Sequence, residues 1–305
     1  RRGGAMPTTR APEAAARAAA RLLLELPADV LGLVLYQLPL AHDIAATALT
    51  CRTFHASAKL VQKLRPFTGK VVTLVTPECN VGHKAELNCV AAAPGGRVIT
   101  GADKGIVNVW RDDACVCTIE GHDAHVIAVA VLPGGARFVS VSDDGTAKLW
   151  TLDGALERTF EVDSQVRCVA ALPDGVHFVV GLSAGEVRLY HVDGTLVHTF
   201  KGHTKAVYAV AVTPDGQHII SGASDNLVKV WSVASKSLVS TCDGHTHWVL
   251  AVAAMPDGQR ILSGGVDKTV RVWLLNGTLE NTFQLHTSVV AALVALPDNQ
   301  HALSG

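Results

Sequence analysis

The sequence predicts a mainly β protein of the propeller type, preceded by a small helical module, and three observations carry that expectation. Trp110, Trp150, Tyr190, Trp231 and Trp273 follow one another at intervals of 40, 40, 41 and 42 residues. Tight-turn triplets recur at matching offsets between them, and residues 26–66 switch to the apolar spacing of helices. A fixed period of this length marks repeated supersecondary units rather than one irregular core.

In chain order, residues 1–25 hold five Arg against two Glu amid Ala, Gly and Pro, a composition that a transit peptide shares with low-complexity padding, and they are read as a disordered Ala/Arg-rich tail. The chain opens on Arg, so a start at Met6 or a missing upstream piece is expected. Residues 26–66 read as three short helices. Val30, Leu31, Val34, Leu35 and Leu38 form one helical face, with Asp29 in the first turn, where a negative charge favours the positive end of the helix dipole. Pro39 ends that helix, a second starts near Asp43 and runs through Ile44 and Leu49, and a third runs from about Cys51 to about Leu64, closed by Pro66. Residues 67–82 form a linker, and Val71 to Val75 within it reads as a strand that would pair with the last sheet and close a ring.

From residue 83 onward the grammar is β. Gly82-His83, Gly121-His122, Gly202-His203 and Gly244-His245 precede the recurring aromatic residues, and His286 continues the series. Each unit then offers an apolar strand, a turn, a second strand, a second turn and the strand bearing Trp. The first turn is Pro-Asp-Gly at Pro173, Pro214 and Pro256, Pro-Gly-Gly at Pro94 and Pro133, and Pro-Asp-Asn at Pro297. The second contains Asp144-Gly145, Asp225-Asn226 or Asp267-Lys268. A further strand after each Trp, such as Leu238 to Cys242, makes four antiparallel strands per unit, the size of one propeller blade. The sixth unit stops at Gly305, after Ser304 and before any Trp; about six of an expected seven blades are present, and a seven-bladed ring would need roughly 55 more residues.

Composition narrows the function classes. With 26 basic and 27 acidic side chains, charge gives no reason to expect a nucleic-acid partner. The longest apolar stretch, Leu22 to Leu40, is interrupted by Glu25, Pro27 and Asp29, so no membrane span is expected. Seven cysteines without a CxxC pair argue against a disulfide framework and a zinc module, and for a reducing compartment, cytoplasmic or nuclear. No phosphate loop, metal-ligand spacing or unrepeated nucleophile–base pair is found, so neither cofactor nor catalysis is expected.

The units from about Gly82 to Gly305 resemble the WD-repeat family on their Gly-His, turn and Trp register. That resemblance implies a buried chain in which the Trp indole meets a Ser or Thr hydroxyl, the hydroxyl meets the loop His, and the turn Asp holds the His. It maps onto His122, Ser140, Asp144 and Trp150; His203, Ser221, Asp225 and Trp231; and His245, Ser263, Asp267 and Trp273. A His-Ser-Asp trio invites a hydrolase reading, but three copies at fixed repeat positions read as structure. The first blade has His83, Thr100 and Trp110 but Lys104 where Asp is expected, with Asp103 one place early; the blade ending at Tyr190 is read with Asp163, Val180 and Ala184 at the other three positions. That blade is expected to be held mainly by apolar packing and to open more easily.

Residues 26–54 are similar to the F-box family. Leu26-Pro27, Asp29, Val30-Leu31, Val34-Leu35, Leu38, Asp43-Ile44 and Cys51-Arg52-Thr53-Phe54 fit its spacing, with Thr50 where Val is usual. The two resemblances together imply a non-catalytic substrate receptor of an SCF-type (cullin) ubiquitin ligase. Leu26, Pro27, Val30, Leu31, Val34, Leu35, Leu38 and Ile44 would contact a Skp-type adaptor. A target protein would sit on the propeller face bearing the loops before each first strand. Three places after each His the reading gives Glu86, His125, Ala206, Trp248 and Ser288; at the strand starts it gives Asn88, Ile127, Arg167, Tyr208, Leu250 and Val290. Arg167, Tyr208, His247, Trp248, Leu250 and His125 are the expected target contacts, since aromatic and Arg side chains dominate binding hot spots. The other reading is a WD-repeat scaffold in a complex unrelated to ubiquitin.

Overall fold

The computed structural model describes residues 71–72, 87–111 and 114–305. The expected helical module at 26–66, with the adaptor contacts from Leu26 to Ile44, therefore lies outside the described residues, as do Gly82, His83 and Glu86.

Five four-stranded antiparallel sheets follow one another along the chain, each in sequential strand order. Blade 1 comprises β2 (Leu87–Ala93), β3 (Arg97–Ala102), β4 (Ile106–Arg111) and β5 (Ala114–Glu120). Blade 2 comprises β6 (Val126–Val131), β7 (Arg137–Ser142), β8 (Thr146–Thr151) and β9 (Leu156–Glu161). Blade 3 comprises β10 (Val166–Ala171), β11 (His177–Leu182), β12 (Glu186–His191) and β13 (Leu196–Lys201). Blade 4 comprises β14 (Val207–Val212), β15 (His218–Ala223), β16 (Val228–Ser232) and β17 (Ser237–Cys242). Blade 5 comprises β18 (Val249–Ala254), β19 (Arg260–Gly265), β20 (Val270–Leu274) and β21 (Leu279–Phe283). Blade 6 contributes β22 (Leu293–Ala295) and β23 (Ala302–Ser304). Beside β23 lies β1 (Val71–Val72), in parallel, with Val71 opposite Ala302 and Val72 opposite Leu303. The remainder of the expected Val71–Val75 strand is outside the described residues.

Local chemistry accounts for the hairpins. In the Pro-Asp-Gly turns the glycine N–H returns to the carbonyl three residues back, as in Gly175 to Leu172 (3.2 Å), Gly216 to Thr213 (2.8 Å) and Gly258 to Met255 (2.9 Å). Pro presets the first turn residue, and Gly accepts the positive φ that follows.

The first strands of consecutive blades pack side by side, and the core lies between sheets rather than within them. Ile99, Val107 and Val109 of blade 1 pack on Val126, Phe138 and Trp150 of blade 2. Val141, Leu149 and Phe160 of blade 2 meet Val166, Phe178 and Tyr190 of blade 3. Leu189 and Phe200 meet Ile219 and Trp231 at the next junction, Val230 and Cys242 meet Ile261 and Trp273 at the one after, and Leu262 and Val272 meet Val290 and Leu293 at the last. Each second strand is thus covered on both faces and is buried continuously rather than at alternate residues. Close approach at these junctions demands glycine: a Cβ on Gly264 would stand 2.5 Å from the Val290 side chain.

Two register assignments are corrected by this packing. Val290 is fully buried and occupies the core place held by Val126, Val166, Val207 and Val249 in the preceding blades, so it is not a surface position; Val289 and Ala291 replace Ser288 and Val290 in the series. In blade 3 the place of the loop His belongs to Val162, not Asp163: the Val162 N–H donates to Gly145 O (3.0 Å), as His122 N–H does to Gly105 O (3.3 Å).

Candidate interaction face

Three blades carry the buried chain in full. In blade 2 the Trp150 indole N–H donates to Ser140 Oγ (2.8 Å), Ser140 Oγ lies 2.7 Å from His122 Nε2, and His122 Nδ1 lies 2.7 Å from Asp144. Blade 4 repeats this through Trp231, Ser221, His203 and Asp225 at 2.8, 2.8 and 2.9 Å, and blade 5 through Trp273, Ser263, His245 and Asp267 at 2.7, 2.6 and 2.8 Å. One proton arrangement satisfies every atom: the indole donates to the hydroxyl, the hydroxyl to neutral Nε2, and Nδ1–H to the carboxylate. Burial pushes His122 and His245 below the ordinary imidazole value, outweighing the carboxylates beside them. Burial alone would raise the Asp144 carboxyl, but hydrogen bonds from Thr146 and His122 hold it below its usual range. The serine hydroxyls are fully buried and engaged on both sides, so the trio offers no nucleophile to a substrate arriving from solvent.

The aspartates also take backbone N–H groups from the loops, Asp123 (3.1 Å), Thr204 (3.0 Å) and Thr246 (3.1 Å), which pins the segments leading into the first strands. Thr146 and Thr269 reinforce two of them, donating to Asp144 (2.7 Å) and Asp267 (2.8 Å). Sequence reasoning missed both; a Thr two places after the turn Asp is the signal. In blade 6, His286 Nε2 and Ser304 Oγ make the same contact at 2.6 Å. In blade 1 the Trp110 indole donates to Thr100 (2.8 Å).

Blade 3 replaces the polar chain by Val162 and Val180, with Phe160, Phe178 and Tyr190 clustered around them. Phe160 meets Phe178 edge-on at 4.9 Å, and Phe178 stacks on Tyr190 at 5.6 Å. Apolar packing is not its sole support. Arg188 bridges Asp163 (2.6 Å) and Glu186 (2.7 Å), and Glu186 also reaches Lys201 (3.1 Å).

The loop side of the blades is organised by a β-bulge in each first strand. Pairing skips one residue in blades 1 to 5, and the skipped residues are Asn88, Ile127, Arg167, Tyr208 and Leu250. A bulge re-aims its extra side chain and recurs beside functional sites. Three expected contacts thereby occupy one repeated position: Arg167, Tyr208 and Leu250.

Their surroundings divide the face. Arg167 donates to Ser183 (3.0 Å) and Gln165 (2.9 Å) and pairs across the blade boundary with Asp143 (3.5 Å). His125 pairs with Asp103 of blade 1 (2.7 Å), whose carboxylate also accepts from Asn88 (3.0 Å). Asp103 is therefore not a displaced partner of the buried chain but a surface carboxylate, in the same place as Asp143; neither ion pair was legible in the sequence. Across the next boundary Tyr208 stacks on Trp248, with ring centroids 5.8 Å apart and planes 18° from parallel. His247 lies 5.4 Å from Trp248, and Leu250 is half-buried in the strand behind.

Among the described residues no group of three or more His, Cys, Asp or Glu is placed to hold a metal ion, and no helix is long and apolar enough to cross a membrane.

The model of the WD domain, G-beta repeat, matches residues 76–111, 113–151, 194–232 and 236–273. Each matched segment ends within a residue of Trp110, Trp150, Trp231 or Trp273. The stretch ending at Tyr190, where Val162 and Val180 replace His and Ser, is not among them. No curated protein matches the chain. The four-stranded sheets described above are thus the propeller-like blades of a chain that carries WD repeats.

Proposed function

We propose that this chain is the substrate-recognition subunit of an SCF-type ubiquitin ligase, in which residues 26–54 bind a Skp-type adaptor and the loop face of the blades holds the target protein. WD repeats by themselves suggest a protein-interaction scaffold. The finer reading rests on one observation, the F-box-like run from Leu26-Pro27 through Cys51-Arg52-Thr53-Phe54 directly ahead of the blades. Its apolar residues would present a helical face to the adaptor, since a module of about 40 residues gains part of its stability from a partner. The role is one of binding: the buried serines are structural, and the bulged residues form a contact surface. Target contacts would fall on Tyr208, Trp248 and His247, with Arg167, Leu250 and His125 around them.

Co-purification of the chain with a Skp-type adaptor from the same source tests the reading. A stoichiometric complex of micromolar affinity or tighter, about 8 kcal/mol or more, is expected, surviving removal of residues 67–305 and lost on Leu26→Ala with Pro27→Ala. Retained binding in the double variant would reject the assigned contacts, and no binding by the intact chain would leave a WD-repeat scaffold of another complex.

A further inference from the structure

Blade 3 lacks the buried polar chain, yet it carries a histidine pair that none of the other four complete blades repeats. His177 opens β11 and His191 closes β12, and the two stand directly opposite each other in the antiparallel register, at the end of the blade away from the loop face. The same cross-strand position holds Arg97 and Arg111 in blade 1, Arg137 and Thr151 in blade 2, His218 and Ser232 in blade 4, and Arg260 and Leu274 in blade 5. Side chains opposed in this way share one face of the sheet. Here the two imidazole centroids lie 4.9 Å apart, with planes 69° from parallel. Each ring is fixed through Nδ1 and open at Nε2. His177 Nδ1 lies 2.6 Å from Asp174 Oδ2, while Asp174 Oδ1 accepts the N–H groups of Val176 (2.9 Å) and His177 (3.0 Å). His191 Nδ1 lies 2.9 Å from Asp193 Oδ1 and 3.2 Å from the Asp193 nitrogen, and the same carboxylate oxygen accepts the Thr195 N–H (2.9 Å). Neither Nε2 has a hydrogen-bond partner among the described residues, and neither is buried, so both meet solvent.

We propose that His177 and His191 together bind a divalent ion of the later first-row metals, zinc, nickel or copper, with water in the remaining positions, and that the ion clamps β11 to β12. A carboxylate at one ring nitrogen orients an imidazole and leaves the other nitrogen as the lone-pair donor, which is how ligating histidines are usually supported. Two imidazoles held by one ion at about 2.1 Å, at tetrahedral or right angles, have their centroids about 5 Å apart, in agreement with the 4.9 Å observed. Imidazole suits these ions, whereas magnesium and calcium select oxygen ligands. With only two protein ligands the site is open and exchangeable, unlike a closed structural zinc centre. The clamp would fall in the blade where Val162 and Val180 replace His and Ser, and there it would supply a cross-strand link that the other blades obtain from their polar chains. The proposal is independent of the ligase role.

Calorimetric titration of the full chain, without a histidine tag and kept reduced by a phosphine, with zinc, nickel and magnesium chlorides tests this. Zinc is expected to bind with a dissociation constant below about 100 μM, and magnesium not to bind. His177→Asn and His191→Asn are each expected to weaken zinc binding by at least about tenfold. His301→Asn is expected to leave it unchanged, since His301 has Asp298 beside it but no second imidazole among the described residues. One equivalent of copper(II) on the parent chain should give an electron paramagnetic resonance spectrum with two imidazole nitrogens, a readout that needs no variant. At a zinc concentration ten times the dissociation constant, hydrogen exchange in β11 and β12 should slow about tenfold, with β15 and β16 unchanged. No zinc binding, a copper spectrum without two nitrogens, or zinc affinity that persists in His177→Asn with His191→Asn at unchanged circular dichroism would overturn the proposal. Zinc bound by the pair without slower exchange in β11 and β12 would refute the clamp.

Discussion

Replacing Ser263 by Ala removes one oxygen atom from the interior and strands two polar groups. Ser263 is fully buried; its Oγ accepts from the Trp273 indole at 2.7 Å and lies 2.6 Å from His245 Nε2. Solvent cannot reach either partner, since Trp273 is 1% and His245 4% exposed. An unsatisfied buried donor or acceptor costs roughly 1–3 kcal/mol, so two of them cost about 3 kcal/mol together. In a propeller of this size such a loss lowers the melting temperature by roughly 2–4 °C per kcal/mol. Urea denaturation followed by far-ultraviolet circular dichroism measures it, with Ser235→Ala at an exposed turn as the reference, expected to stay within about 0.5 kcal/mol of the parent. Trp273→Phe removes the indole donor, so Ser263→Ala made in that background should cost about 1 kcal/mol less than in the parent. A Ser263→Ala loss no larger than that of Ser235→Ala, or strict additivity with Trp273→Phe, would refute the claim that the hydroxyl links the two groups.

Three further outcomes are expected. Burial holds His122 and His245 below the ordinary imidazole value, with Lys148 and Arg271 acting in the same direction. Above about pH 6.5 neither the folded nor the unfolded chain charges them. As pH falls below it the unfolded chain takes up protons that the fold refuses, and stability declines by up to about 1.4 kcal/mol per pH unit for each histidine; urea midpoints unchanged between pH 7 and pH 5 would contradict this. Val180→Ser places a hydroxyl beside Val162, where no histidine waits for it, and should cost about 1–3 kcal/mol by the same denaturation assay; a gain in stability would show that a polar chain can form there. Gly105→Ala should be more damaging than either. Its φ is +73° and a Cβ would stand 1.8 Å from the His122 carbonyl oxygen, so the strained backbone alone costs about 1–3 kcal/mol and the clash adds to it; near-normal hydrogen-exchange protection in β4 and β6 of that variant would refute the geometry.

Much of this molecule is legible in its sequence because repetition turns weak local signals into strong ones. One Pro-Asp-Gly or one Trp says little, but at a period of 40 to 42 residues they mark strands, turns and blade order together. The members of the buried chain follow too, since each His precedes its Ser by 18 places and each Ser its Trp by ten, in all three complete copies. Where a blade departs from the pattern the register drifts. With no His to anchor it, Val162 is not told from Asp163 by sequence alone, whereas in the sixth unit Val290 follows His286 by four places, as Val126, Val207 and Val249 follow theirs, and its burial against Gly264 agrees with that count. The charged and stacked contacts of the loop face depend on tertiary structure altogether. Asp103 meets His125, Asp143 meets Arg167 and Tyr208 meets Trp248 only because the first strands of successive blades pack side by side, and each bulge turns one side chain out of the ladder towards that boundary. A sequence records which residue stands at each repeat position, whereas the distance between two neighbouring blades is set by the volume of the cores packed between them.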